Sequence, residues 1–350
     1  MSRCRAVVFT GDERFELRDF TVPDPPVGGA ILRVEAVGMC GSDVAQWHGL
    51  RVLPDSTYPI VPGHEIVGVV ERLDPAATLG VAEGDRVAVD ECLERSSRPR
   101  VYGYTSIPGG DAAGLYGGYG EYLVLFPGTV LHRLTLDRPP EELTLFEPLA
   151  SAFNWVEVVQ AQPHDVVVVE GPGHQGLVVL QALLAAGVER VIVTGTGDDR
   201  IRLDKAIELG AEAAIDITAV DPVEDVAART GGLMADVVCD VAPAVAAVPM
   251  SIALARPGGR ILLAGLKERR KVELVTDDIV NKGLRLWGAT AYTGASMTEA
   301  VAAINEGRVD TYPLRGAVFD LDHVADAIDI LLRRHPTDDA VRVSLRHEHS

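Results

Sequence analysis

The segment VVVVEGPGHQGLVVLQALL, residues 166–184, constrains the fold more than any other part of the chain. An apolar run typical of a buried strand leads into Gly171, Gly173 and Gly176, spaced as GxGxxG, and then into apolar residues at helical spacing. The glycines of such a turn let a pyrophosphate approach the backbone and the helix N-terminus, where His174 and Gln175 also lie. A glycine-rich turn needs no ligand, but strand, fingerprint, helix and second strand follow in order here. The sequence therefore predicts a dinucleotide site.

The chain around this segment follows two different patterns, which indicates two domains. From about residue 152 strands and helices alternate, with strands at DVVVVEG, RVIVTG, ADVVCDVA and RILLAG, and this succession predicts a parallel sheet covered by helices. The preceding part reads as short strands broken by Gly and Pro. At 350 residues, the chain is long enough for two cores. We therefore predict an α/β protein, with a doubly wound Rossmann sheet and a second, Gly-rich, mostly β domain.

Charge and cysteine content exclude several classes of function. A formal charge of −19 argues against nucleic-acid binding, which needs clustered Lys and Arg. No apolar run reaches the roughly 18 residues of a membrane span, and the N-terminus lacks the pattern of a signal peptide. The four cysteines form no CxxC pair, so we expect no disulfide framework and interpret Cys4 and Cys239 as core residues. The expectation is a cytoplasmic protein without nucleic-acid or membrane partners.

The residues after the second strand bear on which dinucleotide is bound. An acidic residue about 20 positions after the fingerprint normally binds the ribose 2′-hydroxyl of NAD. This chain has small residues there, followed by charged ones: Gly195, Thr196, Gly197, Asp198, Asp199 and Arg200. Small side chains leave room for a 2′-phosphate that Arg200 or Arg202 could meet, so NADP is slightly favoured over NAD. The alternatives are that Asp198 or Asp199 binds the ribose, or that these charges only form a solvated helix start.

Three further residues are candidate metal ligands, although each alone has an ordinary explanation. Cys40 lies in VGMCGSD, His64 in PIVPGHEIVG and Glu147 in FEPLASAF. A lone cysteine is usually a small core residue, a lone histidine a satisfied polar residue, and Glu147 an acid at a helix start. Together they match catalytic zinc, which takes three ligands from Cys, His and carboxylate and leaves one position open. Zinc beside a nicotinamide suits hydride transfer between alcohols and carbonyl compounds.

The sequence resembles the medium-chain, zinc-dependent alcohol and polyol dehydrogenases. The resemblance is carried by the three segments around Cys40, His64 and Glu147 and by five further segments, which follow in order over nearly the whole chain: GDRVAV, GGYGEYLVL, GPGHQG, DVVCDVA and GGRILLAG. The resemblance implies that Cys40, His64 and Glu147 bind one catalytic zinc. A glutamate as third ligand is similar to the sorbitol and glucose dehydrogenase branch. Glu65 would lie beside the metal and exchange with water in its coordination shell.

The resemblance also implies roles for residues that are not ligands. Ser42 would hydrogen-bond the substrate hydroxyl and begin a proton relay, and Asp43 would orient the ligating histidine. Gly265 would approach the nicotinamide. In the family the relay commonly ends at a histidine, whereas this chain has Ala45 at that position. His48 is a candidate substitute, and a relay through ribose hydroxyls and water is the alternative.

The region after GDRVAV departs from the family. Many relatives carry four closely spaced cysteines there, whereas this chain has only Cys92, so we predict no structural zinc. Residues 95–120, rich in Gly, Ser and Pro, are expected to form a surface loop. Its tyrosines could border the substrate cleft, although surface packing is favoured: Tyr102, Tyr104 and Tyr116. Trp47 and Leu115 are equally consistent with lining the pocket and with ordinary packing.

Together these observations predict a two-domain enzyme. Residues 1–151 would form a GroES-like catalytic domain, completed by residues 290–350 as in the family, and residues 152–289 the NAD(P)-binding domain. The expected reaction interconverts a secondary alcohol or polyol and its ketone, in a homodimer or homotetramer. One alternative is a zinc-free medium-chain quinone or enone reductase, which usually lacks the three ligands. Another is a catalytically silent NADPH-binding regulatory protein, which the missing relay histidine favours slightly and the intact ligand set disfavours.

Overall fold

The computed structural model describes residues 2–50, 53, 57–94, 100–106, 114–334 and 340–348. The chain forms two compact units, one of Met1–Glu147 with Leu314–Ser350 and the other of Pro148–Pro313. The second boundary lies further along the chain than the predicted residue 289. The reason is that the segment after this point packs within the second unit, where the Trp155 indole donates a hydrogen bond to the Thr290 carbonyl at 3.1 Å.

The first unit starts with a strand-rich segment. Its elements are β1 (Arg3–Phe9), β2 (Phe15–Thr21), β3 (Ala30–Met39), α1 (Gly41–Trp47), β4 (Glu65–Leu73), β5 (Arg86–Val89), β6 (Cys92–Glu94), β7 (Arg100–Val101), β8 (Tyr122–Leu125), β9 (Leu131–Arg133), α2 (Pro140–Leu143) and α3 (Phe146–Val158), which continues into the second unit.

Strands and helices alternate in the second unit. Its further elements are β10 (Val166–Glu170), α4 (His174–Ala185), β11 (Arg190–Gly195), α5 (Arg200–Glu208), β12 (Ala213–Asp216), α6 (Pro222–Thr230), β13 (Ala235–Asp240), α7 (Ala247–Leu254), β14 (Ala255–Leu263), α8 (Thr276–Lys282), β15 (Arg285–Gly288) and α9 (Gly294–Asn305). The chain then returns to the first unit with β16 (Ala317–Phe319), α10 (Val324–Leu331) and β17 (Val343–Arg346). Single 3-10 turns lie at Gly197–Asp199, Tyr312–Leu314 and Leu321–His323.

The second unit contains a six-stranded sheet in the order β12-β11-β10-β13-β14-β15, and every pair in it is parallel. All of β10 is buried, as expected for a strand covered on both faces. The chain runs outward from β10 to β12 and then crosses back to β13. Ligands of such sheets bind at the carboxyl ends of the strands next to this reversal. Gly171 follows β10 directly and therefore lies at the reversal.

Local sequence explains the helix boundaries of this unit, as α6 illustrates. The Asp221 carboxylate caps the helix by accepting the Val223 N–H at 2.8 Å, and Pro222 occupies the first turn. The helix ends at Gly231, whose φ of 62° is left-handed.

In the first unit, seven strands form a sheet in the order β16-β17-β3-β4-β5-β9, with β8 also pairing with β3. The C-terminal strand β17 is antiparallel to β3, so that Ser344 lies opposite Gly38. Leu321, Val324 and Leu345 are buried in the same core as strands β1, β3 and β4. The C-terminal segment therefore completes the first unit, and the predicted combination of a Rossmann sheet with a mostly β domain is confirmed.

The state of the cysteines and the character of the helices agree with what the sequence indicates. Cys4, Cys40, Cys92 and Cys239, all of them described residues, form no disulfide. Cys4 and Cys239 are core residues, as predicted, and burial raises the pKa of both thiols to about 12. Among the helices of the described residues, none combines the length and apolar character needed to cross a bilayer.

Candidate metal and dinucleotide sites

Cys40 occupies the N-cap of α1, a short helix that directly follows β3. The Asp43 carboxylate accepts the Cys40 N–H at 2.8 Å, and the Cys40 thiol accepts the Ser42 N–H at 3.4 Å. This reciprocal pattern is a capping box, in which side chains satisfy the free N–H groups of the first turn. The CGSD sequence thus fixes the position of the Cys40 thiol through contacts within the first helical turn.

His64 and Glu65 meet Cys40 at the start of β4. The His64 Nε2 atom lies 3.7 Å from the Cys40 Sγ atom. One ligand atom each of Cys40, His64 and Glu65 lies within 4.8 Å of the others. His64 and Glu65 are buried, whereas Cys40 is partly exposed. The three residues therefore form a ready-made cluster of a thiol, an imidazole and a carboxylate.

Glu147, the predicted third ligand, is not a member of this cluster. It lies in the first turn of α3 at the end of the first unit and is half-buried. The structure instead places Glu65, expected beside the metal, among the clustered groups. The role of Glu147 as a ligand stays a prediction.

An ion pair that the sequence analysis missed holds Glu65. The Arg342 guanidinium contacts the Glu65 carboxylate, and the two side chains are 2% and 1% exposed. Gly38 makes room for this pair, since a Cβ atom there would overlap both side chains. Burial lowers the pKa of Arg342 to about 10, and at this value the guanidinium is still charged at neutral pH. The only signal in the sequence was a single Arg in the otherwise mostly apolar segment AVRVSL, residues 340–345.

Asp43 is buried beside the cluster, and its position fits the predicted role of orienting His64. The Asp43 Oδ1 and His64 Nδ1 atoms are both buried and, among the described residues, have no hydrogen-bond partner. Burial raises the pKa of Asp43, while the charge of His64 opposes this rise. Burial by itself lowers the pKa of His64, but Tyr104, Cys40 and Asp43 together raise it well above its ordinary value. The orienting contact itself stays a prediction.

Ser42 and Tyr104 border the cluster on the side of the partly exposed thiol. The Ser42 hydroxyl lies 2.8 Å from the Cys40 Sγ atom and is a hydrogen-bond partner of the Tyr104 phenol. The Tyr104 ring centroid lies 5.3 Å from that of His64, and burial raises the pKa of the phenol. The predicted surface packing is therefore wrong for Tyr104.

Close backbone packing brings Tyr104 to this position. Gly103 has a φ of +78°, and a Cβ atom there would lie 2.6 Å from the Gly63 carbonyl oxygen. The Gln46 side chain of α1 donates to the Gly103 carbonyl at 2.9 Å. Only the folded chain reveals these contacts. Residues 95–99 and 107–113 of the same predicted loop lie outside the described residues.

The other candidates around the cluster have ordinary roles. The phenol of Tyr102 pairs with Thr129 at 2.8 Å, and Tyr102, Tyr116, Trp47 and Leu115 belong to the core of the first unit. Tyr102 and Tyr116 are 1% and 8% exposed, so the predicted surface packing is wrong for them as well. His48 lies 2.9 Å from the Glu13 carboxylate in an exposed pair, so it has a partner away from the cluster.

The fingerprint loop adopts the conformation that its glycines predict. Gly171 has a φ of +104°, and its N–H donates to the Thr194 carbonyl at 3.0 Å. A Cβ atom at Gly176 would overlap the Gly171 carbonyl oxygen, whereas Gly173 has nothing within 4 Å of its missing Cβ. His174 and Gln175 begin α4, and Gln175 donates to the Pro148 carbonyl at 3.1 Å. Gly173 thus leaves open space at the N-terminus of a 12-residue helix.

The charged residues after β11 are largely engaged with one another. The Asp199 carboxylate accepts the Thr196 N–H at 3.1 Å and lies 3.4 Å from the Arg202 guanidinium. Both Asp199 and Arg202 are buried, while Asp198 and Arg200 are exposed. Gly195 is required for packing, since its Cβ would lie 2.6 Å from Pro172.

Comparison with known proteins reveals close similarities. The family models described as "Zinc-binding dehydrogenase" and "Alcohol dehydrogenase GroES-like domain" match residues 176–306 and 27–135. A probable alcohol dehydrogenase of Mycobacterium tuberculosis is 37% identical over 87% of this chain and 88% of its own. An erythritol/L-threitol dehydrogenase of Mycolicibacterium smegmatis is 32% identical over 75% and 76%. A solved structure from Escherichia coli CFT073, described as a short chain alcohol dehydrogenase complexed with NADH, has a TM-score of 0.85 at 25% identity and covers 99% and 100%.

Proposed function

Because the chain belongs to the family of zinc-binding, medium-chain alcohol dehydrogenases, we propose that it interconverts a secondary alcohol or polyol and its ketone, using zinc and NAD or NADP. The observation that carries the proposal is the cluster of Cys40, His64 and Glu65, with the Ser42 hydroxyl 2.8 Å from the thiol. A metal-ligand set beside a hydroxyl that can exchange a proton is what alcohol oxidation requires.

The donor set fits zinc. A thiolate, an imidazole and a carboxylate are the ligands that zinc takes in catalytic sites. We propose Cys40, His64 and Glu147 as ligands of one catalytic zinc, with Glu65 beside them and held by Arg342. The buried, unpartnered His64 Nδ1 atom supports this assignment, because a ligating histidine usually gives its second nitrogen to a carboxylate such as Asp43. When bound, zinc polarises the substrate oxygen and the nicotinamide exchanges the hydride.

The side chains of this chain then bind the alcohol and move its proton. Ser42 accepts the proton of the substrate hydroxyl, and its contact with Tyr104 orients the serine oxygen for this transfer. His48 is engaged by Glu13, which favours release of the proton through ribose hydroxyls and water over release through His48. Asp43 is placed to orient His64, and Glu65 is held beside the ligands by Arg342.

The fingerprint loop is the proposed dinucleotide site. Gly171, Gly173 and Gly176 let the pyrophosphate approach the backbone, and His174 and Gln175 present the N–H groups of the first turn of α4. Gly195 and Thr196 border the ribose at the end of β11, and Gly265 borders the nicotinamide. The NADH complex of the Escherichia coli relative supports a nicotinamide cofactor for this fold.

NADP is kept as the first hypothesis over NAD. The positions at which an acid would bind the ribose carry no carboxylate, since they are Gly195, Thr196 and Gly197. The Asp199 carboxylate is engaged by Thr196 and Arg202. Arg200 is the exposed cation at the start of α5 that is available for a 2′-phosphate. One observation favours NAD: the Asp216 carboxylate would lie 3.2 Å from a Cβ atom at Gly197, so it opposes a phosphate there.

Native mass spectrometry of freshly purified protein, followed by assay of an alcohol panel with both cofactors, tests these assignments. We expect one zinc per chain, because the second set of cysteines that a structural zinc needs is absent from the sequence. Two zinc ions per chain would contradict the single-site assignment. A protein that neither retains nor takes up zinc would favour the zinc-free quinone or enone reductase.

Replacing Cys40 by serine separates the zinc enzyme from its alternatives. The change removes the thiolate while keeping a cap for α1, so the fold should survive. We expect loss of both zinc and turnover. Turnover that survives the change would refute the zinc mechanism, and a wild-type protein that binds NADPH without any turnover would favour the regulatory protein.

A second copy of the chain is the proposed macromolecular partner, as a homodimer or homotetramer. Among the described residues β15 is the last strand of the six-stranded sheet. In the segment before it, Val275 at the N-cap of α8 and Val280 within α8 are 64% and 74% exposed. An open strand edge beside apolar side chains favours pairing with another chain. The same mass spectrum gives the number of copies. The scattered cysteines, with no CxxC pair, support the expected cytoplasmic location.

A further inference from the structure

A buried ion pair lies at the carboxyl ends of β13 and β14, outside the residues assigned to the two sites. The Lys267 ammonium lies 2.8 Å from the Asp240 carboxylate, and the two side chains are 12% and 0% exposed. The same ammonium donates to the Ala242 carbonyl at 2.5 Å. Lys267 therefore joins the turn that follows β13 to the turn that follows β14.

Both turns pack directly against the fingerprint loop. A Cβ atom at Gly171 would lie 3.0 Å from the Ala242 Cα atom, and a Cβ atom at Gly265 would overlap the Ala242 carbonyl oxygen. The Val241 N–H donates to the Glu170 carbonyl at 3.1 Å, and the Gly265 N–H donates to the Asp240 carbonyl at 2.9 Å. The backbones of three strand ends thus form one continuous surface, and Lys267 fixes two of them.

The chemistry of the pair points to a role beyond stability. A buried ion pair gains little net stability, because desolvation of both charges offsets their attraction, and apolar residues of the same size often do as well. What such a pair does supply is a fixed geometry with directed hydrogen bonds. Here that geometry sets the position of the Ala242 carbonyl relative to the fingerprint glycines.

We propose that Lys267 is a positioning residue for the dinucleotide. By holding Asp240 and the Ala242 carbonyl, it keeps the turns after β13 and β14 in the conformation that the cofactor meets beside Gly171 and Gly265. The inference rests on the proposed function in one respect, namely that the ligand is a nicotinamide dinucleotide. It requires no zinc and no turnover.

The test is the dissociation constant of NADH and NADPH, measured by cofactor fluorescence on the full chain. Lys267→Met should raise it about tenfold, which corresponds to about 1.4 kcal/mol of binding free energy. Lys282→Met is the matched control. Lys282 donates to the carbonyls of Ile252, Ala253 and Ala255 at 2.7, 3.1 and 3.0 Å, at the opposite end of β14. This control should lose stability but keep the wild-type dissociation constant.

Because Lys267→Met leaves Asp240 charged and buried, the double variant Lys267→Met with Asp240→Asn is made as well. It removes both charges, so it should fold more stably than the single variant and still bind the cofactor weakly. Wild-type affinity in either variant, or equal weakening by Lys282→Met, would overturn the inference while leaving the proposed function intact. A wild-type protein that binds neither NADH nor NADPH would overturn both.

Discussion

Replacing Arg342 by methionine is expected to destabilise the first unit, because it leaves the Glu65 carboxylate buried and charged without its partner. The two side chains are 2% and 1% exposed, so solvent cannot take over the interaction. Removing one member of a buried pair costs about 3–5 kcal/mol. Arg342 also lies 3.4 Å from the carbonyl and the hydroxyl of Thr144, and losing these contacts adds to the cost. The folding equilibrium should fall on the order of 10² to 10⁴-fold.

Urea unfolding of metal-stripped protein, followed by circular dichroism, measures this loss. The midpoint should fall by on the order of 1 M, given slopes of about 1–3 kcal/mol per molar urea. Arg346→Met is the matched control, since Arg346 lies at the end of β17, which Arg342 directly precedes, its pair with Glu141 spans 3.4 Å and Arg346 is 50% exposed. Such exposed pairs contribute at most about 1 kcal/mol.

The double variant Arg342→Met with Glu65→Gln removes both charges and should recover much of the lost stability, because the uncompensated buried charge is gone. The reasoning would be refuted if Arg342→Met cost no more than Arg346→Met. It would also be refuted if the double variant were no more stable than the single one.

Two further predictions concern Tyr104 and Glu170. Tyr104→Phe should lower kcat about tenfold in the wild-type background, with zinc content unchanged. In a Ser42→Ala background it should hardly change kcat, because the phenol acts through Ser42. Equal losses in both backgrounds would contradict this reasoning. Burial raises the pKa of Glu170 from 4.5 to about 8, so the folded state holds a proton that the unfolded state releases, and stability falls as pH rises through that window. Thermal melts from about pH 5 to pH 9 should therefore show that the stability of Glu170→Gln rises relative to that of the wild type as the pH increases. A stability difference that does not depend on pH would count against a neutral Glu170.

The sequence predicts features whose causes are local in the chain. The buried run of β10, the spacing of Gly171, Gly173 and Gly176, and the helix that follows are consecutive, so one stretch of about 20 residues carries the whole pattern. The resemblance to the zinc-dependent dehydrogenases is likewise carried by short segments in order, and the comparisons confirm it. The capping box around Cys40 is also local, but α1 has only seven residues, too few for a periodic signal.

Tertiary structure decided the surroundings of the proposed metal site. Tyr104 reaches His64 because Gly103 packs on the backbone of Gly63, and Arg342 reaches Glu65 because β17 pairs with β3 at a glycine. No periodicity encodes these contacts, since each joins residues far apart in the chain. The sequence by itself thus determined the two domain types, the fingerprint and the candidate ligands, through patterns that repeat within one element. Which charges and phenols surround those ligands depended on strand pairing and close backbone packing, which exist only in the folded chain.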